Sequence, residues 1–258
     1  MGVVNVTPDS FSDGGRYLDP QAALDQAAGL VGHGADIIDF GAESTRPGAP
    51  EVGAEEEWRR LKPVLEKAGS LGVPVSVDTS KPEIMLRAVD LGAAVINDVR
   101  GGADPGTLQA LHRAQPDLIY LAMHMHGRPG TMQQQPLTAA AAVTEVEAFY
   151  ERTRNALLET GFRPENIWLD PGIGFGKSDA ANIRLLDQAT RLAGQYQLVI
   201  GISRKSFLGR ALGIPQPVDR DPPSKTLEMA LMFAGVRAIR THDVAHLAGL
   251  RRLWLDES

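Results

Sequence analysis

The feature that most constrains the fold is a regular alternation of short apolar runs with longer amphipathic stretches. The apolar runs are rich in Val and Ile and mostly unbroken in hydrophobicity, which is typical of parallel strands buried on both faces. The predicted strands are Gly2–Val6, Asp36–Phe40, Pro74–Val77, Ala94–Asn97, Leu118–Met123, Ile167–Leu169, Leu198–Ile202 and Val236–Ile239.

Amphipathic stretches with helical spacing separate these strands. The predicted helices are Pro20–His33, Ala54–Leu71, Pro82–Leu91, Gly106–Ala114, Ala139–Thr160, Ala180–Ala193, Ser224–Ala234 and Val244–Leu255. Strict alternation predicts an α/β fold of the (β/α)8 TIM-barrel class, with one domain over residues 1–258. An open, doubly wound sheet is the alternative, because the sequence does not reveal strand order. The proline-rich stretch Gly213–Ser224 is too short for a domain linker and is interpreted as a crossover loop.

Composition narrows the class of protein. Of 258 residues, 43% are hydrophobic and 22% charged, so the chain can bury a large core. The balance of 26 basic against 32 acidic residues gives a net charge of −6, which argues against a nucleic-acid or anionic-membrane binder. The absence of cysteine excludes disulfides and iron–sulfur clusters. No apolar run is long enough for a membrane span and Met1–Asp13 does not resemble a signal peptide, so we expect a cytoplasmic protein.

Polar side chains follow nearly every predicted strand. In a parallel barrel these strand ends meet at one mouth, where the active sites of such barrels lie. Asp78, Asn97 and Asp170 offer acceptors and an amide that suit a flat heterocycle with several N–H donors. Capping of the helix at Pro82 is an alternative role for Asp78.

A second group of strand-end residues is cationic. It consists of Arg204, Lys205, Arg240 and His242, and in a net acidic chain it indicates an anion pocket, most simply for phosphate. The alternative is ordinary solvated surface charge.

Two local motifs resemble a phosphate loop and a metal-ligand pair, but each departs from the pattern. Gly172–Ser178 resembles a phosphate loop, but Pro171 stands where the first glycine of that motif belongs, so we interpret it as a flexible loop bordering the site. His124 and His126 share a strand face, yet no third ligand with matching spacing is evident for a metal.

Eight motifs, in order, resemble those of the dihydropteroate synthase family. They are M-G-V-V-N-V-T-P-D-S-F-S-D-G-G (residues 1–15), D-F-G-A-E-S-T-R-P-G (39–48), V-S-V-D-T-S-K-P (75–82), I-N-D-V (96–99), M-H-M (123–125), L-D-P-G-I-G-F-G-K (169–177), S-R-K-S-F-L-G (203–209) and R-T-H-D-V (240–244). Ala42 and Thr241 depart from residues common in the family, without removing a chemical group.

The resemblance implies a barrel enzyme that joins 7,8-dihydropterin-6-ylmethyl diphosphate to 4-aminobenzoate and releases diphosphate. It implies small-molecule substrates, a Mg²⁺ cofactor held by Asn5, a homodimer, and inhibition by sulfonamides that compete with 4-aminobenzoate. Family members usually carry a segment before the first motif that closes the bottom of the barrel, and we expect that segment to be missing from residues 1–258.

The resemblance also assigns site residues by motif position. Catalytic roles fall on Asp13, Asp78, Asp170 and Lys205, and the pterin pocket on Asp78, Asn97, Met123, Asp170 and Lys205. The diphosphate site falls on Asn5, Thr45, Arg240 and His242. The 4-aminobenzoate site falls on Phe11, Thr45, Arg46, Pro47, Phe175, Lys205 and Ser206. We expect the loops Pro8–Gly15 and Glu43–Gly48 to close over the first substrate.

Two other functions remain open at this point. One is a pterin-binding homologue without synthase activity, and the other is a pterin-dependent methyltransferase barrel. The complete loop motifs favour the synthase, because a methyltransferase has no need of the Thr45-Arg46-Pro47 motif.

Overall fold

A computed structural model of the protein describes residues 1–7, 19–43, 51–127, 131–132 and 134–255, without the side chains of residues 254 and 255. Eight parallel strands form one sheet in chain order. They are β1 (Gly2–Asn5), β2 (Ile38–Gly41), β3 (Val75–Asp78), β4 (Val95–Asp98), β5 (Ile119–Met123), β6 (Ile167–Asp170), β7 (Gln197–Gly201) and β8 (Ala238–Arg240).

Helices connect successive strands. They are α1 (Pro20–Gly32), α2 (Ala54–Ala68), α3 (Pro82–Asp90), α4 (Pro105–Ala114), α5 (Ala139–Glu159), α6 (Asp179–Asp187), α7 (Ala189–Ala193), α8 (Ser206–Leu212), α9 (Asp221–Phe233) and α10 (Ala245–Leu255). Short 3-10 turns lie at Gly69–Leu71, Pro164–Asn166 and Val218–Arg220. Several helix starts follow from sequence, because the side chains of Asp19, Asp104 and Ser178 accept hydrogen bonds from amides of the first turn.

Backbone hydrogen bonds between the first and last strands close the sheet. Gly2 forms a parallel bridge with Thr241. The amide of Thr241 donates to the carbonyl oxygen of Met1 at 3.0 Å, and the amide of Val3 donates to that of Thr241 at 3.2 Å. The sequential strand order and this closure confirm the predicted (β/α)8 barrel and exclude the open, doubly wound sheet.

Strand register separates the residues that face the barrel interior from those that face the helices. Side chains alternate between the two faces along each strand, and paired residues on neighbouring strands share a face. The outward residues include Ile38, Val75 and Ile96, which belong to the main apolar core under the helices. A second apolar cluster of inward residues, made by Val95, Leu121, Trp168 and Val199, lies inside the barrel.

The helices bury one face each against the strands. Leu61 of α2, Ile84 of α3 and Leu111 of α4 are fully buried in the main core. Burial of a side chain of this size stabilises the fold by about 1.5–3 kcal/mol. This packing fixes the barrel wall and therefore the positions of the side chains at the strand ends.

The sequence missed three features near the last strands. The stretch predicted as one helix over Ala180–Ala193 is two helices that meet at Gln188. Periodicity did not reveal helix α8, because its seven residues are too few for a periodic pattern. The expected loop Gly213–Ser224 ends early, since α9 begins at Asp221 with prolines in its first turn, where the missing amide costs no hydrogen bond.

A cavity of about 660 Å³ lies at the opposite end from the mouth. Its lining includes Met1, Ile37 and Val236, which lie just before the first residues of β1, β2 and β8. In the described part of the chain, no helix is both long and apolar enough to cross a membrane.

Candidate active site at the mouth of the barrel

The inward residue nearest the end of each strand is polar or small at most positions of the mouth. Register pairs Asn5 with Gly41, Gly41 with Asp78, and Asp78 with Asn97. It also pairs Met123 with Asp170, and Gly201 with Arg240. Six residues assigned from sequence therefore face the same end of the barrel interior: Asn5, Asp78, Asn97, Met123, Asp170 and Arg240.

A buried carboxylate, Asp39, organises the floor of this mouth. Its side chain is fully buried and accepts hydrogen bonds from the hydroxyl of Ser76 at 2.6 Å and the amide of Asn97 at 3.1 Å. The Nη2 atom of Arg240 lies 2.7 Å from Oδ2 of the same carboxylate. Asp39 thus holds both Asn97 and Arg240 in place, because a buried charge must be paired and hydrogen-bonded.

Asp78 lies beside this network. The Nη2 atom of Arg240 donates to its Oδ2 at 3.1 Å. Burial raises the pKa of Asp78 to about 7; Arg240 opposes that rise, whereas Asp39 and Glu57 add to it. The alternative role in capping is wrong, because Lys81 is the N-cap of α3 and that helix start has no side-chain cap bond.

Asp170 ends β6 and is almost fully buried at 3% exposure. Its Oδ1 accepts a hydrogen bond from the amide of Gly172 at 2.6 Å. Burial raises the pKa of this carboxyl group, while the Gly172 bond and nearby cations oppose the rise. The hydrogen bond from Gly172 thus fixes one oxygen of this carboxyl group at the mouth.

The loop after β6, Gly172–Ser178, is packed rather than flexible, so the sequence interpretation as a flexible loop is wrong. Most of its residues are buried. The amide of His126 donates to the carbonyl oxygen of Phe175 at 3.4 Å, and the amide of Leu137 donates to that of Gly176 at 2.9 Å. These bonds tie the loop to the segment that follows β5.

Phe175 and Lys205 meet at the side of the mouth. The ammonium nitrogen of Lys205 lies 4.1 Å from the centre of the Phe175 ring, a cation–π contact. Phe175 belongs to an apolar cluster with Met123, Val99 and Met132. Burial lowers the pKa of Lys205 to about 8, although Asp170 opposes that shift. The pair forms a wall with an apolar face and one positive charge.

The predicted cationic corner is less positive than its composition suggested. Arg204 is engaged by both carboxylate oxygens of Asp221, at 2.7 and 2.9 Å, so it does not serve as a free anion ligand. Arg240 is paired with Asp39 and Asp78. Desolvation, aided by Arg204 and Arg240, lowers the pKa of His242 to about 4, so its ring is neutral at pH 7. Its Nδ1 lies 3.0 Å from the hydroxyl oxygen of Ser203.

The exposed ligand candidates lie at the rim. Asn5 and Ser206 are both exposed, at the end of β1 and the start of α8. Five assigned residues lie outside the described residues: Phe11, Asp13, Thr45, Arg46 and Pro47. The same holds for most of the two loops expected to close over the substrate, although Glu43 is described and forms an ion pair with Lys81.

His124 and His126 both approach one carboxylate, Glu145 of α5. Its Oε1 lies 3.5 Å from Nε2 of His124 and 2.8 Å from Nδ1 of His126. Within the described ranges, however, no group of three or more His, Asp or Glu residues could hold a metal ion.

Sequence reasoning missed Asp39, Lys177 and Asn182 as contributors to this site. Asp39 had a readable signal, because it is a lone carboxylate between apolar residues in a strand predicted to be buried. Lys177 had a weaker one, as a cation at the end of a glycine-rich loop. Asn182 lies inside α6, and nothing in the sequence distinguishes it from a surface asparagine.

Comparisons with known proteins point to one family. Residues 1–242 match the family described as pterin binding enzyme. The chain is 41% identical to the dihydropteroate synthase of Neisseria meningitidis serogroup C, over 98% of this chain and 90% of that protein.

Two solved structures are similar throughout. The dihydropteroate synthase of Xanthomonas albilineans with 4-aminobenzoic acid has a TM-score of 0.89 and 39% identity, covering 100% of this chain and 92% of that one. The same enzyme in complex with 7,8-dihydropteroate has a TM-score of 0.84 and 35% identity, again over 100% and 92%.

Proposed function

The chain belongs to the pterin-binding enzyme family, in its dihydropteroate synthase branch, and we propose that the mouth of its barrel joins 7,8-dihydropterin-6-ylmethyl diphosphate to 4-aminobenzoate. The products are 7,8-dihydropteroate and diphosphate, so the enzyme is a transferase of folate synthesis. The observation that carries the proposal is the convergence of Asp78, Asn97 and Asp170 from three strands on one buried, acceptor-rich end of the barrel.

The proposed pterin pocket matches the hydrogen-bonding edge of a pterin ring. Such a ring presents several N–H donors beside ring acceptors. The carboxylates of Asp78 and Asp170 accept from donors, while the amide of Asn97 can do both. Asp39 holds Asn97, Arg240 holds Asp78, and the amide of Gly172 holds Asp170 before any ligand arrives. Binding therefore does not require these groups to reorganise.

The reaction exchanges one bond at the pterin methylene carbon. The C–O bond to diphosphate breaks, and the amine nitrogen of 4-aminobenzoate bonds to that carbon. The nitrogen then loses a proton, which the released diphosphate or water takes up. The electron-rich pterin can stabilise positive charge at the carbon, so the C–O bond can break before the amine attacks. The protein's part is to bind the pterin by Asp78 and Asp170 and to hold the leaving group's negative charge.

The wall of Phe175 and Lys205 is the proposed 4-aminobenzoate site. The aromatic ring of Phe175 offers an apolar surface for the benzoate ring, and Lys205 supplies a positive charge beside it. Phe11, Thr45, Arg46, Pro47 and Ser206 would complete the site. Sulfonamides, which resemble 4-aminobenzoate in size and in having an acidic group opposite an amine, would compete there.

The diphosphate is proposed to lie at the rim near Asn5, Thr45, Arg240 and His242. The neutral ring of His242 has one N–H donor. When Nδ1 accepts a hydrogen bond from the hydroxyl of Ser203, that donor is on Nε2 and can bond a phosphate oxygen. Asp13, the remaining catalytic candidate, would lie in the loop that follows β1.

A magnesium ion at this rim is compatible with the residues present. Mg²⁺ commonly takes one or two protein ligands and completes its shell with water and substrate phosphates, so a dedicated cage is not required. Asn5, exposed at the end of β1, would hold it through its amide oxygen. When bound, the ion would neutralise charge on the leaving diphosphate.

A homodimer is proposed from the distribution of exposed apolar side chains. Of the large apolar residues exposed in the described chain, five follow β6, β7 or β8: Ile183, Leu212, Val218, Phe233 and Leu253. The proposed interface therefore lies on the helices that follow β6, β7 and β8.

The proposed activity is tested by measuring diphosphate and dihydropteroate together, with each substrate and Mg²⁺ omitted in turn. The two products are expected in equal amounts, and only when 4-aminobenzoate is present. Tight binding of the pterin diphosphate without product would indicate a binding protein. Failure to bind it would contradict the proposal.

A further inference from the structure

Lys177 is a buried lysine that the proposed mechanism does not use. Its side chain is only 1% exposed, although it lies next to the mouth. Its Nζ atom donates hydrogen bonds to the carbonyl oxygen of Phe175 at 3.0 Å and to that of His124 at 3.2 Å. The lysine therefore joins the loop after β6 to the residue that follows β5.

Either protonation state of this amine can make both bonds. Burial lowers the pKa of Lys177 to about 7, although Asp170 opposes the shift. The ammonium ion has three N–H donors and the neutral amine has two, so two carbonyl oxygens are satisfied in both forms. Lys177 cannot contact a ligand, because its nitrogen is enclosed by protein.

Asn182 holds the same loop from the side of α6. It is fully buried, and its Oδ1 accepts a hydrogen bond from the amide of Gly174 at 2.7 Å. Its Nδ2 donates to the carbonyl oxygen of Lys177 at 3.4 Å. Lys177 thus holds the carbonyl group of Phe175 itself, and Asn182 holds the backbone on either side of it, at Gly174 and Lys177.

The position of Phe175 matters because its ring lies under Lys205. The 4.1 Å separation between the Lys205 nitrogen and the ring centre depends on where the loop holds the ring. A shift of the Phe175 backbone would move the ring, which is both the apolar surface of the wall and the cation–π partner of Lys205. Positioning errors of about 1 Å at a reacting site are costly.

We propose that Lys177 and Asn182 are positioning residues that fix Phe175 against Lys205 and so set the affinity for 4-aminobenzoate and for sulfonamides. The inference rests on the proposed function, because it takes Phe175 as the wall of the 4-aminobenzoate site. Neither residue touches a substrate; both act through the backbone of Gly172–Ser178.

The test compares Lys177→Met and Asn182→Ala with wild type in steady-state kinetics. The KM for 4-aminobenzoate and the inhibition constant of a sulfonamide are expected to rise at least tenfold in each variant. The KM for the pterin diphosphate should change less than twofold. The double variant should lose little more than either single one, because both side chains hold one loop.

A purely structural role gives a different result. It would lower the melting temperature while leaving the KM for 4-aminobenzoate of the folded protein unchanged, and that outcome overturns the proposal. A rise confined to the KM for the pterin diphosphate overturns it as well. If Lys177→Met does not fold, Asn182→Ala decides by the same criteria, since it keeps the lysine.

Hydrogen exchange separates this inference from the proposed function. The amides of Gly174 and Phe175 are expected to exchange at least tenfold faster in the variants, whether or not the protein makes dihydropteroate. Unchanged exchange rates at these two amides would contradict the anchoring of the loop by Lys177 and Asn182. A wild-type protein without product contradicts only the function. Lys62→Met and Asn155→Ala, at exposed helix positions, are the matched controls and should change neither measurement.

Discussion

Two adjacent residues at the end of β4 perform different tasks because they face opposite sides of the barrel wall. Asn97 faces inward and bonds to Asp39. Asp98 faces outward, where its Oδ2 accepts hydrogen bonds from the hydroxyl of Tyr120 at 2.6 Å and the amide of Gly102 at 2.8 Å. At the scale of single residues, strand parity decides which polar group belongs to the site.

This parity gives a matched pair of variants. Asn97→Ala is expected to raise the KM for the pterin diphosphate, because the amide faces the pocket. Asp98→Ala should leave that KM unchanged but lower the free energy of unfolding by about 1–3 kcal/mol, because it leaves the buried hydroxyl of Tyr120 without its hydrogen-bond acceptor. Kinetics and denaturant unfolding of both variants check this, and equal effects on KM would contradict it.

The raised pKa of Asp78 predicts that kcat/KM for the pterin diphosphate depends on pH. With its pKa raised to about 7 by burial, the free protein binds a proton there below neutral pH. Pterin N–H groups need the ionised carboxylate as acceptor, so kcat/KM for the pterin diphosphate is expected to rise with pH and to level off above about 7. Asp78→Asn should be less active and lack this rise. A wild-type profile that is flat between pH 5.5 and 8 would rule out the role.

The same shift has a consequence for stability. In the unfolded chain the pKa of Asp78 lies near 3.8, so between about pH 4 and 7 the folded state binds the proton and the unfolded state does not. The contribution of the protonated Asp78 to the free energy of unfolding is therefore complete below about pH 4 and is lost as the pH rises to about 7. Asp78→Asn, which cannot ionise, removes this part of the pH dependence of unfolding.

At the scale of elements, the packed loop after β6 depends on glycine. Gly176 has φ = +68°, and a Cβ atom there would overlap the carbonyl oxygen of His126. Gly72, in an exposed turn with φ = +72°, has no atom within 4 Å of its Cβ position. The two positions share a backbone conformation and differ in the space around them.

Alanine at these two positions should therefore have unequal costs. Gly72→Ala is expected to lower the free energy of unfolding by roughly 1–2 kcal/mol, the cost of the left-handed conformation alone. Gly176→Ala should cost more and should also raise the KM for 4-aminobenzoate, because the loop must move. Denaturant melts and kinetics measure both, and similar losses in the two variants would show that the loop has room.

The strands could be predicted from the sequence more completely than the helices. Each of the eight strands was predicted within two residues, because a buried parallel strand is a continuous apolar run bounded by polar residues. Helix α8 and the break at Gln188 depend on local packing that leaves no periodic signal. The pairing of Arg204 with Asp221 is a contact between the ends of two separate elements, so spacing did not reveal it.

For the whole molecule, the barrel is what unites residues far apart in the chain. Arg240 and Asp39 are in contact only because β8 closes onto β1, next to β2. The alternation predicted the barrel and hence the convergence at one mouth. It did not predict which charges at the mouth would pair, because that depends on distances within the closed barrel.

The proposed homodimer can be tested by sedimentation. Wild-type protein at micromolar concentration is expected to sediment at twice the chain mass of 27.7 kDa. Leu253→Glu, on the apolar side formed by the helices after β6 to β8, should shift the protein toward monomer, because it buries a charge in the interface. Leu91→Glu, on α3's side of the barrel, is the control and should stay dimeric. A monomeric wild type would contradict the proposal.

A crystal structure of the protein with 7,8-dihydropteroate bound tests the proposed site most directly. We expect the pterin ring to lie within hydrogen-bond distance of Asp78, Asn97 and Asp170, with the aminobenzoate end beside Phe175 and Lys205. Product bound elsewhere, such as in the cavity lined by Met1, Trp168 and Val236 at the opposite end of the barrel, would contradict it.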